Sequence, residues 1–120
     1  MKSLALLDDL VFHDENPNAQ PLLVDAHARI LRFTLKPGQK IKEHLSPNSP
    51  LYIVVIEGRG IFAGSDGKRV EFGPNSFLVF DKAEPHLIEA RDENLVFIAF
   101  LREFSENIPE EKTGGLLGER

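Results

Sequence analysis

Cysteine is absent from the 120 residues. That excludes a disulfide framework and any thiolate zinc site, and it suits the reducing cytoplasm, which is the expected location. Any metal must be held by nitrogen and oxygen. Basic residues are few: 14 Lys and Arg stand against 19 Asp and Glu, for a formal charge of −5. Binding along a nucleic-acid backbone needs clustered cations, so no nucleic-acid partner is expected. No apolar run approaches the roughly 20 residues that span a bilayer, and no membrane partner is expected either. The opening MKSLALLDDLVF sets Asp8 and Asp9 directly behind a short apolar stretch and lacks a small-residue cleavage pattern, so it does not read as a signal peptide.

Helical periodicity is also missing between Pro21 and Phe104. In its place come short apolar or alternating runs: PLLVDAH, ARILRFTL, IKEHL, LYIVVIEG, RGIFAG, KRVEFG, SFLVFD, PHLIEA and LVFIAFLREF. Turn signals separate them, among them Pro37-Gly38, Gly58 to Gly60, Ser65-Asp66-Gly67, Gly73-Pro74-Asn75 and Arg91 to Asn94. Eight or nine short strands so spaced predict an all-β sandwich or barrel. In ARILRFTL the alternation of Leu31, Phe33 and Leu35 with Ile30, Arg32 and Thr34 predicts a half-buried strand. The expected organisation is one domain: a lead-in over 1–20 that packs against one edge, a barrel over 21–104 and a polar tail over 105–120. At this length a fold buries roughly two thirds of the surface of its unfolded chain, enough for one core without metal or disulfide support.

Several chemistries lack their residues. Gly58-Arg59-Gly60 is too short for a phosphate loop and introduces no helix. No serine has a recognisable nucleophile context. His13, beside Asp14 and Glu15, and His27, between two strands, read as exposed loop residues. His44 and His86 remain, each near the end of a strand, and two such histidines can meet inside a barrel.

Gly38, His44 and Gly58, followed by Gly73, Pro85 and His86, are spaced as in the two motifs of the cupin superfamily, and the chain resembles a small single-domain cupin over about residues 21–104. The resemblance implies an antiparallel β-barrel of the jelly-roll type. It also implies a metal site whose four positions fall here on His44, Ser46, Leu51 and His86. Two imidazoles match. Serine is a weak neutral ligand and leucine is none, so a divalent ion (iron, manganese, nickel or zinc) would be weakly held, and a site without metal is nearly as well supported. Glu84, two residues before His86, is the nearest candidate for the missing carboxylate.

If His44 and the position of Leu51 face inward, as the resemblance implies, strand alternation puts Ser46, Ile53 and Val55 on that face too, and Ile88 and Ala90 on the face of His86, lining an apolar pocket with two imidazoles. Taken singly, Ile53, Val55 and Ile88 each read first as ordinary core. The opposite face, with Tyr52, Val54 and Ile56, is apolar too, which together with the family habit of pairing through sheets implies a homodimer, the alternative being a monomer whose N-terminal segment covers that face. The expected function is binding of a small, partly apolar molecule with a polar or anionic end. Two alternatives stand beside it: a metal-dependent enzyme of the oxygenase or isomerase class, and a non-catalytic interaction or regulatory domain.

Overall fold

The computed structural model describes residues 1–42 and 48–102, and the backbone alone of 115–116. Ten strands are paired within this set: β1 (Asn18–Val24), β2 (Ala28–Leu35), β3 (Lys40–Ile41), β4 (Leu51–Glu57), β5 (Gly60–Ala63), β6 (Val70–Phe72), β7 (Phe77–Phe80), β8 (Leu87–Ala90), β9 (Leu95–Arg102) and β10 (Gly115–Leu116). They form two antiparallel sheets, a large one ordered β10-β1-β2-β9-β4-β7 and a small one ordered β3-β8-β5-β6. Among the described residues there is no helix, and so none long and apolar enough to cross a membrane.

The turn signals fall where the chain reverses or changes sheet. Gly38, Gly58 and Gly67 all have positive φ. At Gly58 the requirement is steric as well, because a Cβ would lie 1.9 Å from the carbonyl oxygen of Asn94. Pro21, which has no N–H to donate, sits where the β1–β2 register shifts between Pro21 and Leu23. Pairing of β1 begins at Asn18, three residues ahead of the run that starts with Pro21.

Alternation along β4 is strict. Leu51, Ile53 and Val55 are buried between the sheets, while Tyr52, Val54 and Ile56 look outward and are half-buried. The inner faces of both sheets share one core, including Leu31, Phe33, Leu35, Phe62, Phe80, Ile88 and Phe97. Four phenylalanines cross it in a chain. Phe33 stacks on Phe97 at 4.9 Å, Phe97 meets Phe62 edge-on at 6.1 Å, and Phe62 meets Phe72 edge-on at 5.8 Å.

Strand β2 departs from the half-buried expectation: Arg32 and Thr34 are as buried as the leucines beside them, at 1% and 2% exposure. The cause is the lead-in, which lies over the outer face of the large sheet instead of packing against an edge. It runs in the direction of β2 and is fastened step by step. Arg32 donates to the carbonyl oxygens of Leu6, Asp8 and Asp9 and to the side chain of Gln20. Thr34 donates to the carbonyl of Val11 and Gln39 to that of His13, while Lys36 pairs with Asp14. Buried polar groups need such partners, and here the backbone of the lead-in supplies them.

Coverage of the outer face is partial. Cross-strand register aligns Gln20, Arg32, Ile98, Val54 and Phe77 in one row from β1 to β7. Arg32 and Ile98 lie under the lead-in at 1% and 3% exposure, whereas Phe77 at the far end is 63% exposed.

Candidate functional site

Two loops at one end of the barrel are clamped by a single carboxylate. Glu84 Oε2 accepts the N–H of Ser65 at 2.7 Å, from the β5–β6 connection, and Oε1 accepts the N–H of Asp81 at 2.8 Å, from its own turn. These N–H donors, Ser65 first and Asp81 second, hold the Glu84 carboxyl below its usual range. Both oxygens are therefore engaged by backbone, and Glu84, the nearest candidate in sequence for the missing carboxylate, is a loop clamp.

The clamp sets the position of His86, immediately before β8. The imidazole is 8% exposed and lies against Phe80, ring centres 4.9 Å apart and 23° from parallel. Its Nδ1 is 3.2 Å from the carbonyl oxygen of Glu84. A carbonyl only accepts, so the bonded tautomer carries its proton on Nδ1. In the neutral ring this leaves the lone pair on the buried Nε2, the form in which histidine ligates a metal or accepts a hydrogen bond.

His44 and Ser46 lie outside the described residues. Leu51, Ile53, Val55 and Ile88 are between 0% and 3% exposed and belong to the shared core. Their faces follow the alternation of the sequence, and Ala90 joins Ile88 in the same cluster. His13 and His27 are exposed, His27 in the turn where Asp25 accepts its N–H.

The donor set does not fit a four-ligand metal centre. Leucine at position 51 offers no lone pair, Glu84 is committed to backbone, and no group of three or more His, Asp or Glu side chains able to hold an ion occurs among the described residues.

Where the sheets do not pair, the barrel is open along its sides. One cleft, of about 330 Å³, separates the edge strands β6 and β7 and is floored by Phe62, Phe72, Leu78 and Phe80. The other, of about 390 Å³, lies between β2 and β3 with Phe33 and Ile41 at its base. Phe80 thus links the first cleft to His86, and the four-ring chain links the two clefts through the core. Phe80 is a site residue that the motif spacing does not single out. Its signal is the alternation of Leu78 and Phe80 in FLVF, which puts both side chains on the inner face, beside their register partners Ile53 and Leu51 of β4.

Jelly-roll topology, a histidine at the head of β8 and an apolar interior define a class, and a family model for the cupin domain matches residues 31–100. The chain belongs to the cupin family. Among solved structures it is similar to an RmlC-like cupin protein from Desulfovibrio desulfuricans, with 28% identity and a TM-score of 0.72 over 84% of this chain and 96% of that one. A Klebsiella pneumoniae protein with a double-stranded β-helix domain aligns with a TM-score of 0.78 at 14% identity, over 88% of this chain and 92% of that one. An RmlC-like cupin family protein from Methanocaldococcus jannaschii aligns at 0.69 and 16%, over 87% and 92%. No curated protein matches the chain.

Proposed function

We propose that the protein is a small-molecule-binding cupin whose polar groups are His44 and His86, and that a divalent ion, where it binds, is held weakly by these two imidazoles. The observation that carries the reading is the state of His86: buried, stacked on Phe80 and oriented by the Glu84 carbonyl, while the Glu84 carboxylate beside it is engaged by backbone. Pre-oriented imidazole in apolar surroundings suits recognition of a partly apolar molecule with one polar end. The absence of cysteine suits residence in the cytoplasm.

Two copies of the chain pair through the part of the outer face that the lead-in leaves open, where Tyr52, Val54, Phe77 and Val79 present a continuous apolar surface. Light scattering of the wild type and of Phe77→Glu tests this: a dimer that the variant dissociates is expected, and a monomeric wild type at high concentration overturns it.

Elemental analysis tests the site, on wild type, His44→Ala and His86→Ala after exposure to iron, manganese, nickel and zinc in turn. Sub-stoichiometric metal that falls further in both variants is the expected result. Near-stoichiometric metal retained through dialysis, and lost in both variants, overturns the binding-protein reading in favour of a metal-dependent enzyme.

A further inference from the structure

We infer that the cleft between β2 and β3 is a binding site for a small organic anion with an apolar body. The site is built from residues other than the two histidines and goes beyond the function proposed above. Strand β3 is an edge of the small sheet and β2 is internal to the large one, so the chain turns at Pro37-Gly38 and leaves a gap between them. At about 390 Å³ this gap falls within the ordinary range for small-molecule sites. Its base is apolar: Phe33 from β2, Ile41 from β3 and Pro17 from the end of the lead-in.

Two lysines line it as well. Lys40 opens β3 and Lys42 follows directly after that strand, and both line the cleft. Three other cations are paired, Lys36 with Asp14, Arg59 with Glu71 and Arg69 with Glu89. Glu89 is the register partner of Lys40 across β8, yet its carboxylate goes to Arg69 at 2.5 Å. Neither Lys40 nor Lys42 has a carboxylate partner among the described residues. In a chain of net charge −5, a pair of uncommitted cations over an apolar floor is complementary to an anionic head on an apolar body. Carboxylates and phosphate esters share this chemistry.

The test is a titration of ¹⁵N-labelled, metal-free protein with octanoate, octyl phosphate and the neutral octan-1-ol, read from amide shifts. Octanoate or octyl phosphate is expected to give saturable shifts centred on Phe33 and Lys40 to Lys42, and the better of the two identifies the head group. The neutral alcohol is expected to bind about tenfold more weakly, and Lys40→Gln/Lys42→Gln to lose about tenfold in affinity for the anion. Both lysines are exposed, so the double variant retains the dispersed spectrum of the fold. His86→Ala keeps the site, which separates it from any failure of the histidine reading. Shifts that do not saturate, equal affinity for anion and alcohol, an unchanged affinity in the double variant, or loss of binding in His86→Ala alone would each overturn the inference.

Discussion

The guanidinium of Arg32 donates from Nη1 to the carbonyl oxygen of Leu6 at 2.9 Å, joining an internal strand to the chain's lead-in across 26 residues. The same nitrogen reaches the carbonyl of Asp8 at 3.0 Å, and Nη2 reaches that of Asp9 at 3.4 Å. Carbonyl dipoles converge on the cation much as they do at a helix C-terminus, and Asp9 enters positive φ where the turn closes. Arg32→Ala is expected to lower stability by about 3 kcal/mol, since it removes charged hydrogen bonds and leaves a void. Arg32→Met fills the space and is expected to recover most of that loss, because a buried cation is costly to desolvate. Both variants lose the hydrogen bonds that fasten the lead-in, so both are expected to be cut by protease near Ala5 to Leu10 faster than wild type, Arg32→Ala the faster of the two. Urea midpoints and limited proteolysis check the two effects separately.

Glu84 gives a pH dependence of known sign. Backbone donors from Ser65 and Asp81 lower its folded pKa below the ordinary value of 4.5. Its stabilisation is therefore complete above about pH 4.5 and declines as pH falls through the folded pKa. Glu84→Gln is expected to be less stable than wild type at neutral pH, with the difference shrinking as the solution is acidified. Thermal melts of the two proteins between pH 7 and pH 3 measure it, and a gap independent of pH would remove the clamp from the account.

Gly38 and Gly58 separate conformational from steric cost. Both have positive φ, 84° and 77°, but a Cβ at Gly38 meets nothing within 4 Å whereas at Gly58 it strikes the Asn94 backbone. Gly38→Ala is expected to cost about 1 kcal/mol, the ordinary price of a left-handed alanine. Gly58→Ala is expected to cost considerably more, because the β8–β9 turn has to move. Denaturant unfolding of the two variants side by side gives the ordering.

The two faces of β4 differ in what they contribute. Ile53 is fully buried and Val54, its neighbour, is half-buried on the outer face. Ile53→Ala is expected to cost about 3 kcal/mol and Val54→Ala about 1 kcal/mol in the monomer. If Val54→Ala also weakens self-association at high concentration, the open half of the outer face carries the contact.

Much of the barrel is legible from residue pattern. Leu51, Ile53 and Val55 alternate with Tyr52, Val54 and Ile56, and a strand obeys that period whatever surrounds it. The turns at Gly38, Gly58 and Gly67 are legible for a similar reason, because positive φ is a local demand that glycine meets. Burial of Arg32 is not legible: an arginine at alternate spacing reads as solvent-facing unless the segment that covers it, far off in sequence, is known. The role of Glu84 fails in the same manner. Its distance from His86 along the chain is read directly, but the Ser65 N–H that engages it comes from another hairpin. Where a property depends on one element it is read from the sequence, and where it depends on two distant ones it is not.

Strand β9 lies between β2 and β4 in the large sheet, although it follows both of them by a long stretch of chain. Until it is made, β2 and β4 have no common neighbour, and Leu35, Ile53 and Val55 have no Phe97 or Ala99 to close over them. On a ribosome the earlier strands therefore emerge with their apolar inner faces uncovered, and β2 and β4 are joined in one late step when residues 95–102 clear the exit tunnel. The small sheet, whose four strands all precede β9, is the part that can organise while synthesis is still under way.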